Sequence, residues 1–177
     1  LTYGKDLPAT GEGNKWPTCI AQFCFDQQAP RASALIQMYG SGIFKSEGEK
    51  SFHWYAVPDQ KLFLKLTVHN DTSPFIDSIL ISNKPVCTKE KQPMKPFKQL
   101  KTLEGLMVGD EYEKAIRLYG IPQYIRTGKE LNILIRDELS SSSQEMNFDK
   151  AVAYGPYKTD DLLVTWLFFH KNRIVAI

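Results

Sequence analysis

The chain has 177 residues, 42% of them hydrophobic and 12% aromatic, ample for a buried core in one domain or two small ones. Its 22 basic and 20 acidic residues leave a net charge of +2, too balanced to make nucleic acid or an anionic membrane an obligatory partner. No run approaches the roughly 18 apolar residues that a spanning helix needs, so no transmembrane segment is expected.

Residues 1–18, opening "LTYGKDLPATGEGNKWPT", read as an N-terminal extension. The absence of an initiator methionine fits a processed secretory protein or a shortened chain, and export to the periplasm or medium is the reading adopted. Three cysteines follow, Cys19, Cys24 and Cys87, so any single disulfide leaves one thiol over. Three reduced, buried cysteines are the alternative. Cys19 with Cys24 is the pairing expected, because no assumption about the fold is needed to bring them close.

A first unit spans 19–86. In "APRASALIQMYG" the apolar positions suit a short amphipathic helix opened near Pro30, and Gly40 closes it with a left-handed conformation. The strand "FHWYAV" follows. In "KLFLKLTVH", Leu62, Leu64, Leu66 and Val68 alternate with Phe63, Lys65, Thr67 and His69, the signature of a strand with one buried face. The polar turn "NDTSP" leads to a last strand at Ile76 to Ile79. A linker at 87–98 lies within "NKPVCTKEKQPMKPFKQ", where prolines and lysines are concentrated.

The second unit, 99–177, repeats this order. Ile116, Tyr119 and Gly120 match Ile36, Tyr39 and Gly40, Pro122 forbids continuation of the helix, and Asp110 is placed to cap its start. The strand "KAVAYG" aligns on Tyr154 as "FHWYAV" does on Tyr55. In "DLLVTWLFFH", Leu163, Thr165, Leu167 and Phe169 face inward, with Val164, Trp166 and Phe168 outward, and "IVAI" at Ile174 to Ile177 ends the unit. The offset between units grows along the chain, which places an insertion at the serine-rich stretch 137–150, read as a surface loop. The fold class expected is therefore α+β, two tandem repeats, each a short helical hairpin packed on a small antiparallel β-sheet.

The segment "LKTLEGLMVGDEYEKAIRLYGIPQY", with strands ending "WLFFHKNRIVAI", resembles small bacterial envelope proteins in which a helical hairpin precedes an antiparallel sheet. That group includes the lipoproteins of the outer-membrane assembly machinery and, as a tandem pair of units, the secreted β-lactamase-inhibitor protein. The matching positions are Gly109, Asp110, Ile116, Gly120 and Pro122. The first unit departs from the pattern, with "QQAP" in place of the glycine and capping residue and Ser41-Gly42 in place of the proline; Leu1 is not the acylated cysteine of a mature lipoprotein. The resemblance implies proteins that act by binding other proteins and need no metal or cofactor.

Chemistry-bearing patterns are sparse. His53, His69 and His170 form no H-x-H or H-E-x-x-H arrangement, and the glycines at 11–13 and 40–42 lack the spacing of a phosphate loop, so no catalytic residue, metal or cofactor is assigned. The remaining signal is aromatic. Phe63, Lys65, Thr67, Val164, Trp166 and Phe168 project from the side of the strands opposite the helices, and exposed aromatics are unfavourable unless something covers them. The function expected is a non-enzymatic exported protein that binds another protein through this face. The alternative is a cofactor-free enzyme or small-ligand carrier using the crevice between the units, where His53, His69 and Tyr154 would converge.

Overall fold

The computed structural model describes residues 16–25, 29–85, 91–136, 147–155 and 164–177. A small hairpin comes first, β1 (Cys19–Ile20) and β2 (Phe23–Cys24), in which Cys19 and Cys24 are cross-strand partners joined by a disulfide. Helix α1 (Ala32–Tyr39) precedes four strands, β3 (Ile43–Glu47), β4 (Lys50–Val57), β5 (Leu62–His69) and β6 (Phe75–Ser82). Helix α2 (Tyr112–Tyr119) precedes β7 (Tyr124–Arg126), α3 (Gly128–Leu134), β8 (Lys150–Tyr154), β9 (Thr165–His170) and β10 (Arg173–Ala176). All eight strands from β3 onward form one antiparallel sheet in the order β3-β4-β5-β6-β10-β9-β8-β7. The last strands of two meanders therefore meet at its middle. Ile81 and Ile177 exchange backbone hydrogen bonds of 2.8 and 2.9 Å there, and the Asn83 N–H donates to the Val175 carbonyl at 3.1 Å.

This arrangement corrects the fold class expected from sequence. The molecule is mostly β, one eight-stranded and one two-stranded sheet with three α-helices among the described residues, and it is not a tandem repeat of helical hairpins on separate small sheets. No hairpin forms before α2 because the backbone of "LKTLEGLMVGD" is occupied elsewhere. The Lys101 carbonyl accepts from Ala21, the Gly109 N–H donates to Ile174, and the Thr102 N–H donates to Leu106. Asp110 does not cap α2; its carboxylate accepts from the Met107 N–H at 2.8 Å and from Lys114 at 2.7 Å.

Three further elements differ from the sequence reading. The edge strands β3 and β7 carry almost no buried residues, so neither shows the period-two apolar signal by which strands are recognised. Helix α3 buries only Leu131 and is similarly quiet. Of the expected insertion at 137–150, residues 137–146 lie outside those described; Phe148 packs against a core and Lys150 opens β8. Cys87, Leu163 and most of the N-terminal extension also lie outside the described residues.

The sheet has two unlike faces. The near face carries α1 and α2 over a continuous core that includes Leu64, Leu66 and Val68 of β5 and Leu167 and Phe169 of β9, all at most 2% exposed. The expected alternation along both strands is what places them there. Of the described residues read as linker, Phe97 is part of this core. Phe97 stacks on Tyr39 at 4.2 Å between centroids and meets Tyr55 edge-on at 5.3 Å, while the Gln60 side chain holds the passing backbone at Phe97, Lys98 and Leu100.

Each helix on this face stops at a glycine and is tied to the sheet by a tyrosine. Tyr55 Oη donates to the Gly40 carbonyl at 2.6 Å, and Tyr154 Oη to the Gly120 carbonyl at 3.2 Å. Burial pushes the Tyr55 hydroxyl up to about 12 and raises Tyr154 as well, so both remain neutral donors. Gly40 and Gly120 have φ of 77° and 79° with ψ of 173° and −157°, a region open to glycine almost alone. The positive φ expected at the two helix ends is present, with an extended ψ in place of a left-handed one.

Two measurements test these features. An added Cβ at Gly120 meets no atom within 4 Å, so Gly120→Ala isolates the backbone cost, expected at about 1–3 kcal/mol in denaturant unfolding; an unchanged midpoint rejects the assigned conformation. Replacing Cys19 and Cys24 together by serine is expected to cost about 2 kcal/mol, the chain-entropy value for so short a loop. Peptide mapping without reductant should give a Cys19–Cys24 species lighter by two hydrogens than its reduced form, and free thiols at both positions would reject the bridge.

Candidate functional site

The far face of the sheet is built by the alternate residues of the same strands. Across the first meander Phe52 pairs with Thr67, Trp54 with Lys65 and Ala56 with Phe63. Across the second, Trp166 pairs with Ala153 and Phe168 with Ala151 and Ala176. Of the six residues expected to form a binding surface, Phe63, Lys65, Thr67, Trp166 and Phe168 share this side of the sheet and Val164 lies just before β9, and their exposure is uneven. Val164 is exposed, Phe63 and Trp166 are partly exposed, and Lys65, Thr67 and Phe168 are buried. Phe168 is a core residue, corrected from the open position expected of it. Helix α3 brings Leu131 over it, and the Phe148 ring lies 5.0 Å from its own.

On the first meander Trp54 and Phe63 pack against this same far-face cluster, and Lys65 lies in the middle of the meander. Only 8% of the residue is exposed, and its ammonium sits 4.8 Å from the centre of the Phe52 ring. Among the described residues it forms no hydrogen bond or ion pair; Glu47, the nearest acidic influence, is paired with Lys45. Burial lowers the Lys65 pKa, with Glu47 opposing the shift. Phe52 and Trp54, 5.9 Å apart, and Phe63 flank this cation. Phe52 and Trp54 were not singled out from sequence, although "FHWYAV" carries large side chains on both parities. That pattern marks a strand with two apolar faces.

A second concave region lies on the near face, beneath α1. A pocket of about 620 Å³ opens between α1, strands β3 to β5 and the turn after β5. His53, 3% exposed, lies in it with Ser51, 3% exposed. His53 Nδ1 is 2.8 Å from the Ser41 carbonyl oxygen, and Phe44 covers one side of the ring with centroids 5.1 Å apart. Burial lowers the His53 pKa, the bond to Ser41 acting in the opposite direction.

The three residues expected to converge in a crevice between units are in different settings. His53 faces the α1 pocket, Tyr154 is bonded to Gly120 in the other meander, and His69 stacks on Phe75 at 5.3 Å. His170 lies 3.8 Å from Asp149. Among the described residues no three His, Cys, Asp or Glu side chains gather as a metal-ligand set, and no helix is long and apolar enough to cross a membrane.

No family model, no curated protein and no solved structure matches this chain. The resemblance to envelope proteins rests on the residues quoted for it alone.

His53 sets an expected pH dependence. Its folded pKa is below the unperturbed value of about 6.5, so on acidification the unfolded chain takes up this proton first. Its contribution is therefore complete above about pH 6.5 and is lost as pH falls from there toward the folded pKa, with a slope of at most about 1.4 kcal/mol per pH unit. Urea unfolding from about pH 7.5 to about 5.5 should show this slope in the wild type and a shallower one in His53→Gln. Equal slopes would reject the buried neutral state.

Proposed function

We propose that this is an exported protein that acts by binding another protein rather than by catalysis. The interaction surface is the far face of the first meander, extended toward Trp166 and Val164. The observation that carries this reading is Lys65. A cation with 8% exposure and no carboxylate partner among the described residues, on an aromatic floor, forgoes both full hydration and an ion pair. A partner's aspartate or glutamate reaching Lys65 would supply the missing charge, and the rings of Phe52, Trp54 and Phe63 would supply desolvating contact area around it. Large aromatics are enriched at interface centres and dominate their energetics. Export is supported by the Cys19–Cys24 disulfide, which is compatible with an oxidising compartment.

The test uses immobilised wild-type protein to retain a partner from extract of the source cells, followed by titration of that partner against variants. Lys65→Met keeps the apolar stem and removes the charge; Trp54→Ala truncates a flanking ring. Each should weaken binding by about tenfold or more, with melting temperatures used to confirm that the variants fold. Ile36→Trp, on the near face, should leave the affinity unchanged. A retained partner that binds both far-face variants as tightly as wild type would overturn the proposal.

A further inference from the structure

The α1 pocket is independent of the far face, being on the other side of the sheet. Its volume of about 620 Å³ is within the range of small-molecule sites and far beyond that of one water. Its polar groups define what it accepts. The Ser41 carbonyl can only accept a hydrogen bond, so His53 Nδ1 carries the hydrogen and Nε2 presents its lone pair. The nearest neighbour of Nε2 is Ser51 Oγ at 3.5 Å, but the Ser51 hydroxyl donates instead to Asn70 Oδ1 at 2.9 Å. An acceptor on a residue 97% removed from solvent is thus left with this one long contact among the described residues. Leaving such a group unmet is unfavourable, and a site that presents one selects for a ligand that meets it.

The surrounding wall is mostly apolar, with Ser33 and Gln37 of α1 as its further polar members. Ile36 of α1, Phe44 of β3, Val68 of β5 and Pro74 line it, and the lining includes no Lys, Arg, Asp or Glu. An anion would have no counter-charge there, and a metal ion would find a single imidazole. What remains complementary is an uncharged molecule with one hydrogen-bond donor on an apolar body. Asn70, whose side-chain carbonyl is taken by Ser51, still has its amide hydrogens to offer to the same ligand oxygen.

We propose that the pocket beneath α1 binds a small uncharged molecule bearing a hydroxyl on an apolar, ring-sized body, the hydroxyl donating to His53 Nε2 while the body packs against Ile36, Phe44 and Val68. This makes the chain a ligand-binding protein in addition to any role of the far face.

The probe pair is 4-methylphenol and toluene, of similar shape and differing in the hydroxyl. Titrated into the ¹⁵N-labelled full chain, 4-methylphenol should shift the amides of Ile36, Phe44, Ser51 and Val68 in a saturable way, and toluene should bind the same site about tenfold or more weaker. His53→Phe should abolish that difference. Ile36→Trp, a substitution on the partly exposed face of α1 that fills the pocket and leaves the buried histidine in place, should remove the shifts for both probes and so decides the matter if His53→Phe does not fold. Lys65→Met should change neither titration. Equal affinity for the two probes in the wild type, or shifts confined to residues outside the pocket, would overturn the proposal.

Discussion

The pairing of β6 with β10 is the constraint on which the rest of the molecule depends. It is short, with a few backbone hydrogen bonds around Ile81 and Ile177, yet it makes one sheet of two meanders. Once they are joined, the leucine-rich sides of β5 and β9 face the same way. A single core then runs beneath both helices instead of two small ones. A larger shared core leaves less apolar surface in water per residue than two separate ones would.

That shared core needs a cover where neither helix reaches, and the chain supplies one from segments without regular structure. Phe97 and Leu100, together with Phe23 from the disulfide-closed hairpin, fill the space between the helices. The backbone from Phe97 to Leu100, which lies in no strand, is held by the Gln60 side chain. Thr102 does similar work at the far end, donating to Tyr119, whose own hydroxyl donates to Glu104 at 2.7 Å. Burial raises the pKa of Tyr119, which keeps its hydroxyl protonated as the donor.

The two candidate sites arise from one physical situation on opposite sides of the sheet. Lys65 and His53 belong to adjacent strands, and each is buried among apolar residues with part of its bonding capacity unmet. Some other polar groups are matched within the molecule, the Tyr55 hydroxyl by Gly40 and the partly buried Asp110 by Lys114 and the Met107 amide, whereas Trp16 Nε1, Gln22 Oε1, Trp54 Nε1 and His69 Nδ1 are also buried without a hydrogen-bond partner among the described residues. A polar group is costly in such surroundings unless paired. The protein tolerates the mismatch at Lys65 and His53 because the long strands around them are anchored by other contacts on both sides.

How much of this was legible in the sequence follows from the range of each interaction. The alternation of "KLFLKLTVH", the helix ends at Gly40 and Gly120 and the closeness of Cys19 to Cys24 depend on residues a few positions apart, and all three are present, although the strand is buried on both faces and the two glycines have an extended ψ. The sidedness of Phe63, Lys65, Thr67, Trp166 and Phe168 was legible for the same reason, since side-chain direction in a strand is a local property. Their exposure was not, because it depends on α3 and Phe148, which reach Phe168 from other parts of the chain. The edge strands were missed because an edge has little core to face. The union of the meanders, the second core and the pocket around His53 were decided by the tertiary structure alone. They consist of meetings between residues far apart in sequence, and such meetings are set by which strands become neighbours rather than by any pattern within one of them.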